Sequence, residues 1–454
     1  MTTTGMPGAR AILGFDPSDP AFRADPYAEY RRLAEAGPLT RTDAGLWVTA
    51  SYALCEGVLR DHRFGHRPDG EGGAWRRSPG ARRSFLTMDP PDHTRLRRLV
   101  GRAFTARLVE RLRPRVEALV DDLLATAASR TPAAPPPATP GATKATRTGE
   151  PARVDEAART DEAARTGEAA RAGGEEGQGV ELISGLAYPL PVIIISELLG
   201  VPAEDRERFR GWSDALARGL DPDFLLPADD LARREQAREE FAAYFRELAA
   251  RRRAEPRDDL LSALAASYDG EALTEAELLA TCVLLLVAGH ETTVNLIGNG
   301  ALALLRNPEQ LARFRARPER TAAAVEELLR YDPPVQFTVR AALEDVELAG
   351  TPVRKGEMVL LLTGAANRDP SVFADRPDEL DLARYENAET ARHLAFGLGI
   401  HYCLGAPLAR LEGGVALRRL FEHDVVPAGS LDGPSYRDNI VLRGLAELPL
   451  AIRA

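Results

Sequence analysis

The sequence predicts a mainly α fold with a minor β region, held in a single large domain. Three observations predict it. Helical apolar patterns recur along most of the chain between Tyr27 and Phe421. Strand-like patterns are short and gather at 335–362 and after Pro427. Apolar residues are 44% and charged residues 28% of 454, which allows a large core. Length alone would suggest two to four domains; the succession of helices with little β structure favours one.

The elements follow in order. Tyr27 to Ala36 reads as a short helix, Leu46 to Thr49 as a strand and Tyr52 to Arg60 as a helix. Residues 61–86 are rich in Gly, Pro and Arg and read as a loop. His93 to Phe104 and Arg107 to Ala128 are helical. Residues 131–178 differ in kind: Pro, Ala and Thr give way to Asp155-Glu156-Ala157-Ala158-Arg159-Thr160, repeated identically at 161–166. A six-residue period builds no apolar stripe. A solvated helix with Glu and Arg three apart and a disordered surface insert both fit it; so do a docking role and a neutral one.

Helices return at 189–200, 203–218, 228–254 and 258–267. Thr274 and Glu277 form a capping box. It opens a helix that runs to Arg306 and is stopped by Asn307-Pro308, about 48 Å at 1.5 Å per residue. Residues 309–316 and 319–331 are helical, 335–362 form short strands and 367–395 are irregular. Pro407 suits the first turn of a last helix, 406–421, before turns and short strands.

Three cysteines (Cys55, Cys282, Cys403) are too few and scattered for a disulfide framework or a zinc site, which points to a reducing, cytoplasmic setting. Met1 to Phe15 lacks the basic and apolar regions of a signal peptide. No run reaches the roughly 18 apolar residues of a membrane span. A net charge of −10 argues against general nucleic-acid binding.

The chemistry centres on Cys403, in Phe396-Gly397-Leu398-Gly399-Ile400-His401-Tyr402-Cys403-Leu404-Gly405-Ala406. Glycines let backbone N–H groups crowd the sulfur. A helix N-terminus follows and favours an anion, so the thiol is expected to ionise. A lone thiolate in such a loop suits the axial position of a haem iron. The long helix carries Ala288-Gly289-His290-Glu291-Thr292-Thr293. Glu291 in an apolar helix needs a partner or a task. Thr292 can bond back to a carbonyl and loosen the helix beside Gly289. His290 reads as a spacer or local hydrogen-bonder. Glu327 and Arg330 stand three apart on one helix face.

The cysteine run resembles the haem-binding loop of the cytochrome P450 family, Phe-Gly-x-Gly-x-His/Arg-x-Cys-x-Gly, with every fixed position matched. The long-helix run is similar to that family's Ala-Gly-x-Asp/Glu-Thr motif, and Glu327-Leu328-Leu329-Arg330 to its Glu-x-x-Arg pair. The resemblance covers the chain outside 131–178 and implies the family's fold and haem b. It makes Cys403 the iron ligand, framed by Phe396, Gly397 and Gly405, and Ala288 and Gly289 the wall of an oxygen groove. It makes Thr292 and Glu291 a proton relay, and His93, Arg97, Arg340 and His401 the propionate ligands. Arg384 becomes the structural partner of Glu327 and Arg330. It further implies a monomeric monooxygenase that uses O2. Its electrons come from a ferredoxin and ferredoxin reductase, with Arg97, Arg98, Arg102 and Arg107 as a docking patch. Its substrate is a small molecule of secondary metabolism, such as a polyketide or macrolide. The pocket walls are expected at 65–86, 209–232, Leu284 to Ala288, Val335 to Val339 and Asn439 to Leu442. Trp75 and the arginines 76, 77, 82 and 83 read either as a solvated loop or as contacts to an aromatic, acidic or carrier-bound ligand. A haem-thiolate sensor without turnover and a peroxide-driven oxygenase are the alternatives.

Overall fold

A computed structural model describes residues 8–66, 84–129, 178–266 and 273–453. Trp75, Arg76, Arg77, Arg82 and Arg83 lie outside the described residues. So does the repetitive stretch 131–178, except Gln178, which opens a strand.

The chain begins with α1 (Ala9–Leu13), α2 (Pro20–Ala24), α3 (Tyr27–Glu35), β1 (Thr40–Arg41), β2 (Trp47–Thr49), α4 (Tyr52–Arg60) and β3 (Phe64–Gly65). Then come α5 (Asp92–Ala103), α6 (Ala106–Ser129), β4 (Gln178–Glu181), α7 (Pro189–Leu198), α8 (Arg206–Ala217), α9 (Ala228–Ala254) and α10 (Leu260–Ala266). The long helix is α11 (Glu275–Arg306), followed by α12 (Pro308–Ala316) and α13 (Thr321–Tyr331). The remaining elements are β5 (Thr338–Ala342), β6 (Val346–Leu348), β7 (Thr351–Val353), β8 (Met358–Leu361), α14 (Thr363–Ala366), α15 (Ala406–Leu420), β9 (Asp424–Pro427) and β10 (Pro449–Arg453).

The expected capping box is present: Glu277 N–H donates to Thr274 Oγ1 and Thr274 N–H to Glu277 Oε2. α11 is buried over most of its circumference and packs on α7, α8, α9, α13 and α15. Its length and apolar character would suit a membrane span, but two thirds of its apolar window (67%) is buried inside the fold. An all-round apolar helix belongs in a core, and the main core cluster is built around it. α9 carries Asp229 and Asp230 in its first turn and Arg251, Arg252 and Arg253 in its last, matching the helix dipole.

The β structure is wider than expected. A five-stranded sheet runs β1-β2-β8-β5-β3, with β2 parallel to β8 (Trp47 opposite Val359). β4, β10 and β9 form a second sheet, and β6 and β7 a hairpin. β1, β3 and β4 were not expected, nor were α1 and α2. Strands of two residues have no alternation to read; their partners across the sheet define them. α6 packs on β4, so the elements flanking the repetitive stretch lie side by side.

Candidate active site

Cys403 sits between the irregular segment and α15. Its N–H donates to Phe396 O (2.9 Å), closing the loop on itself. Gly399 has φ +67°, and a Cβ there would stand 2.3 Å from the Leu59 carbonyl oxygen of α4, so glycine is required. The expected ionisation is not favoured in the chain alone. Burial pushes the Cys403 thiol up, and the Gly405 N–H, Arg97 and the Ala406 N–H pull it back only in part. The helix N-terminus points the right way, but desolvation outweighs it; a metal ion would supply the missing charge.

The four predicted anion-binding residues converge beside this loop. Arg97 donates to Tyr402 O, next to the cysteine. His93 is buried with neither ring nitrogen hydrogen-bonded among the described residues, and its ring lies 4.3 Å from that of His401. His401 Nε2 also lacks a partner; burial, then Arg340, His93 and Arg97, depress it to about 3, so the ring is neutral. Arg340 bonds only Thr338 Oγ1 (3.1 Å) and Val339 O (2.9 Å), and no described carboxylate pairs with it. Burial lowers it to about 10. Buried basic groups with no carboxylate partner among the described residues, beside a cysteine in a glycine loop, fit an anionic iron macrocycle.

On α11, Thr292 Oγ1 donates to Ala288 O (2.9 Å), as expected of a back-bonding threonine. Glu291 is buried and fully engaged: Arg437 Nη1 reaches Oε2 at 2.9 Å and His290 Nε2 lies 3.1 Å from Oε1. Burial alone would raise its carboxyl, but His290 and Arg437 hold it below the usual carboxylate range. His290 is a local hydrogen-bonder as expected. It also contacts Leu286 O (2.9 Å) and Ser213 Oγ of α8 (3.1 Å).

Glu327 and Arg330 are fully buried and form a two-pronged pair, both contacts 2.7 Å. Arg330 also donates to Asn367 O (3.0 Å), Pro377 O (2.6 Å) and Glu379 O (2.8 Å). Arg384 Nε joins Glu327 at 3.3 Å, as expected. This cluster fixes the irregular segment ahead of the cysteine loop. The docking patch needs one correction: Arg98, Arg102 and Arg107 are exposed, but Arg97 is turned inward to Tyr402.

Sequence reasoning missed several groups. Arg437 lies 146 residues from Glu291 and belongs to no motif. Glu412 of α15 is a buried carboxyl pushed well up by burial, with the Thr293 hydroxyl pulling the other way. Glu326 bonds Arg410 (2.8 Å) and His393 Nε2 (3.1 Å), and Arg410 stacks on Phe396 at 4.5 Å. Ala395 N–H donates to His393 Nδ1, which leaves the proton on Nε2 for Glu326. Burial raises Glu326, but its two partners overcome this and depress it to about 2; burial lowers His393. Both groups bind fewer protons folded than unfolded. Their contribution is complete above the unfolded His value of about 6.5 and falls away as the pH drops towards 2. Thermal melts from pH 7 to 3 should show that decline, shallower in Glu326→Gln; an unchanged slope would discount the pair.

A helical fold that sets a buried, glycine-framed cysteine loop beside a core helix bearing an acid and an alcohol fits an oxygen-activating haem oxidoreductase. The comparisons agree. A family model described as cytochrome P450 matches residues 220–320 and 319–428. Cytochrome P450 107B1 of Saccharopolyspora erythraea is 40% identical over 99% of both chains. The cytochrome P450 monooxygenase PikC of Streptomyces venezuelae is 39% identical, covering 100% of this chain and 97% of that one. A crystal structure of P450BioI in complex with an acyl carrier protein bearing hexadec-9Z-enoic acid superposes with TM-score 0.78. It is 33% identical and covers 96% of this chain and 100% of that one. The chain belongs to the cytochrome P450 family and is a haem monooxygenase.

Proposed function

We propose that the chain inserts one atom of O2 into a small secondary metabolite of the polyketide or macrolide class, by hydroxylation or epoxidation, using haem b held through Cys403. The observation that carries the cofactor assignment is the set of buried basic groups without a carboxylate partner among the described residues: His93 and His401 with unbonded ring nitrogens, and Arg340, beside the cysteine loop. With Arg97 they would bind the two propionates, while Phe396, Gly397 and Gly405 frame the sulfur. When bound, the haem supplies reductive activation of dioxygen, its thiolate ligand favouring O–O cleavage. The balance is substrate C–H, O2, two electrons and two protons giving C–OH and water.

The protein's own part is positional and protic. Ala288, exposed one turn before Thr292, would border an oxygen groove in α11, whereas Gly289 packs against Ile195 of α7 and does not line it. Thr292 offers a hydroxyl there, and Glu291, kept ionised, accepts protons from the solvent side and passes them on. A relative from Bacillus subtilis, 34% identical over 97% of this chain, is named polyketide biosynthesis cytochrome P450 PksS, and this supports the substrate class. Residues 1–454 then act as one domain, with 131–178 an insert without a catalytic part.

Reduced protein under carbon monoxide should absorb near 450 nm, the mark of thiolate ligation. Reconstituted, intact protein without that band would end the reading. Electrons are assigned to a ferredoxin and its reductase, docking on Arg98, Arg102 and Arg107. Reversing those three charges should slow reduction at low salt; unchanged reduction rates would remove the patch.

A further inference from the structure

Three of the expected pocket walls, 209–232, 335–339 and 439–442, come from distant parts of the chain, and one carboxyl group joins them. Asp221 lies just beyond α8 with its side chain wholly buried. Its Oδ1 accepts from the Ile440 and Val441 N–H groups, both at 3.0 Å. Its Oδ2 accepts from Arg218 Nη1 at 3.2 Å, and Arg218 also donates to Asp438 O at 2.7 Å. The same short stretch meets the third wall. Gln336 N–H donates to Val441 O at 3.2 Å, and Val335 bridges to Leu442. Leu225, Val339, Ile440 and Val441 pack on one apolar cluster with Phe337.

Ile440 and Val441 belong to the tip of a hairpin whose stem lies on α11. Tyr436 bridges to Leu445, and Arg437 N–H donates to Gly444 O at 2.9 Å. Arg437 pairs with Glu291 of α11. α8 touches α11 independently, through Ser213 Oγ and His290 at 3.1 Å. Three polar contacts therefore close a ring: α8 to α11, α11 to the hairpin stem, and the hairpin tip back to the turn after α8. The last is the costly one. Burial pushes the Asp221 carboxyl up, and the two N–H groups and Arg218 pull it back only in part. Apolar contacts alone would join these segments without that cost. A carboxyl oxygen shared by two successive N–H groups adds a fixed position, because hydrogen bonds tolerate little change in length or angle.

We propose that Asp221 is the positioning residue of the substrate wall: it holds 439–442 at a set separation from α8 and so limits the size of molecule that reaches the iron. The proposal rests on haem held through Cys403. Without the carboxyl group the Ile440 and Val441 N–H groups lose their acceptor. The tip is then free to move away from α8, while Arg437 keeps the stem on α11. Large molecules gain entry; small ones, which pass the closed wall, gain nothing.

Two measurements on the holoenzyme test it. Hydrogen exchange of the unmutated protein should show the Ile440 and Val441 amides protected, although they lie at a hairpin tip. Exchange as fast as that of exposed amides overturns the proposal. The second measurement follows two iron ligands of different size, imidazole and the bulky azole econazole, by the Soret shift after stopped-flow mixing. Asp221→Ala should raise the econazole association rate about tenfold, roughly what the loss of one hydrogen bond to a charged group allows. Its imidazole rate, melting temperature and carbon monoxide band should stay at wild-type values. Asp221→Asn keeps an oxygen for both N–H groups and should restore most of the wild-type econazole rate. If folded Asp221→Ala admits econazole no faster, if it speeds both ligands alike, or if Asp221→Asn matches it, the size limit falls and the haem reading stands. If imidazole gives no Soret shift in the wild type, both fall.

Discussion

Glu327→Ala should abolish stable folding of the holoenzyme. The substitution leaves Arg330 wholly buried with three carbonyls and no counter-charge. It also strips the acceptor from Arg384 Nε and from Asp381 N–H. Removing one partner of a buried pair costs about 3–5 kcal/mol, against a typical total stability of about 5–15 kcal/mol. The loss falls on the segment that precedes the cysteine loop, so haem retention should fail together with the melting temperature. Glu327→Gln keeps an acceptor and should be milder. A Glu327→Ala protein that melts within a degree or two of wild type and keeps its haem would refute the structural role given to this cluster.

Thr292→Ala should have the opposite profile, an intact protein with misdirected chemistry. Among the described residues the side chain bonds only to Ala288 O, one turn back, so its loss should barely affect stability. The proposed role is to hold a proton donor in the groove of α11. Without it, product per NADPH should fall by about 10-fold or more and hydrogen peroxide should rise in step. Thr292→Ser should recover most of the coupling. The measurement pairs NADPH consumption with peroxide yield, for a compound that gives a binding shift in the haem spectrum. Undiminished coupling in Thr292→Ala would refute the relay.

Local chemistry was legible in the sequence. The capping box placed the start of α11, Asn307-Pro308 placed its end, and Tyr52–Arg60 and 228–254 were readable from periodicity and caps. The cysteine run, the Glu291–Thr292 pair and the Glu327–Arg330 pair each lie within a few residues, so their resemblance to the family's short motifs located them. What was not legible depends on partners far along the chain. β1 and β3 are two residues each and exist because β2 and β5 lie beside them. Arg437 acquires meaning only when the hairpin folds over α11. The protonation of Cys403 turned on burial, which motif and helix position do not encode. The same holds for Glu326, whose partners at 393 and 410 come from two other segments.

The cysteine loop leans on pieces made long before it. The Leu59 carbonyl crowds Gly399, and Arg97 grips the carbonyl of a residue 305 positions further on. During translation the early half of this clasp leaves the ribosome well ahead of the late half. A nascent chain thus has no complete nest for porphyrin until its late half has emerged and folded against the early one. Porphyrin supplied after protein synthesis has been halted should therefore still be taken up.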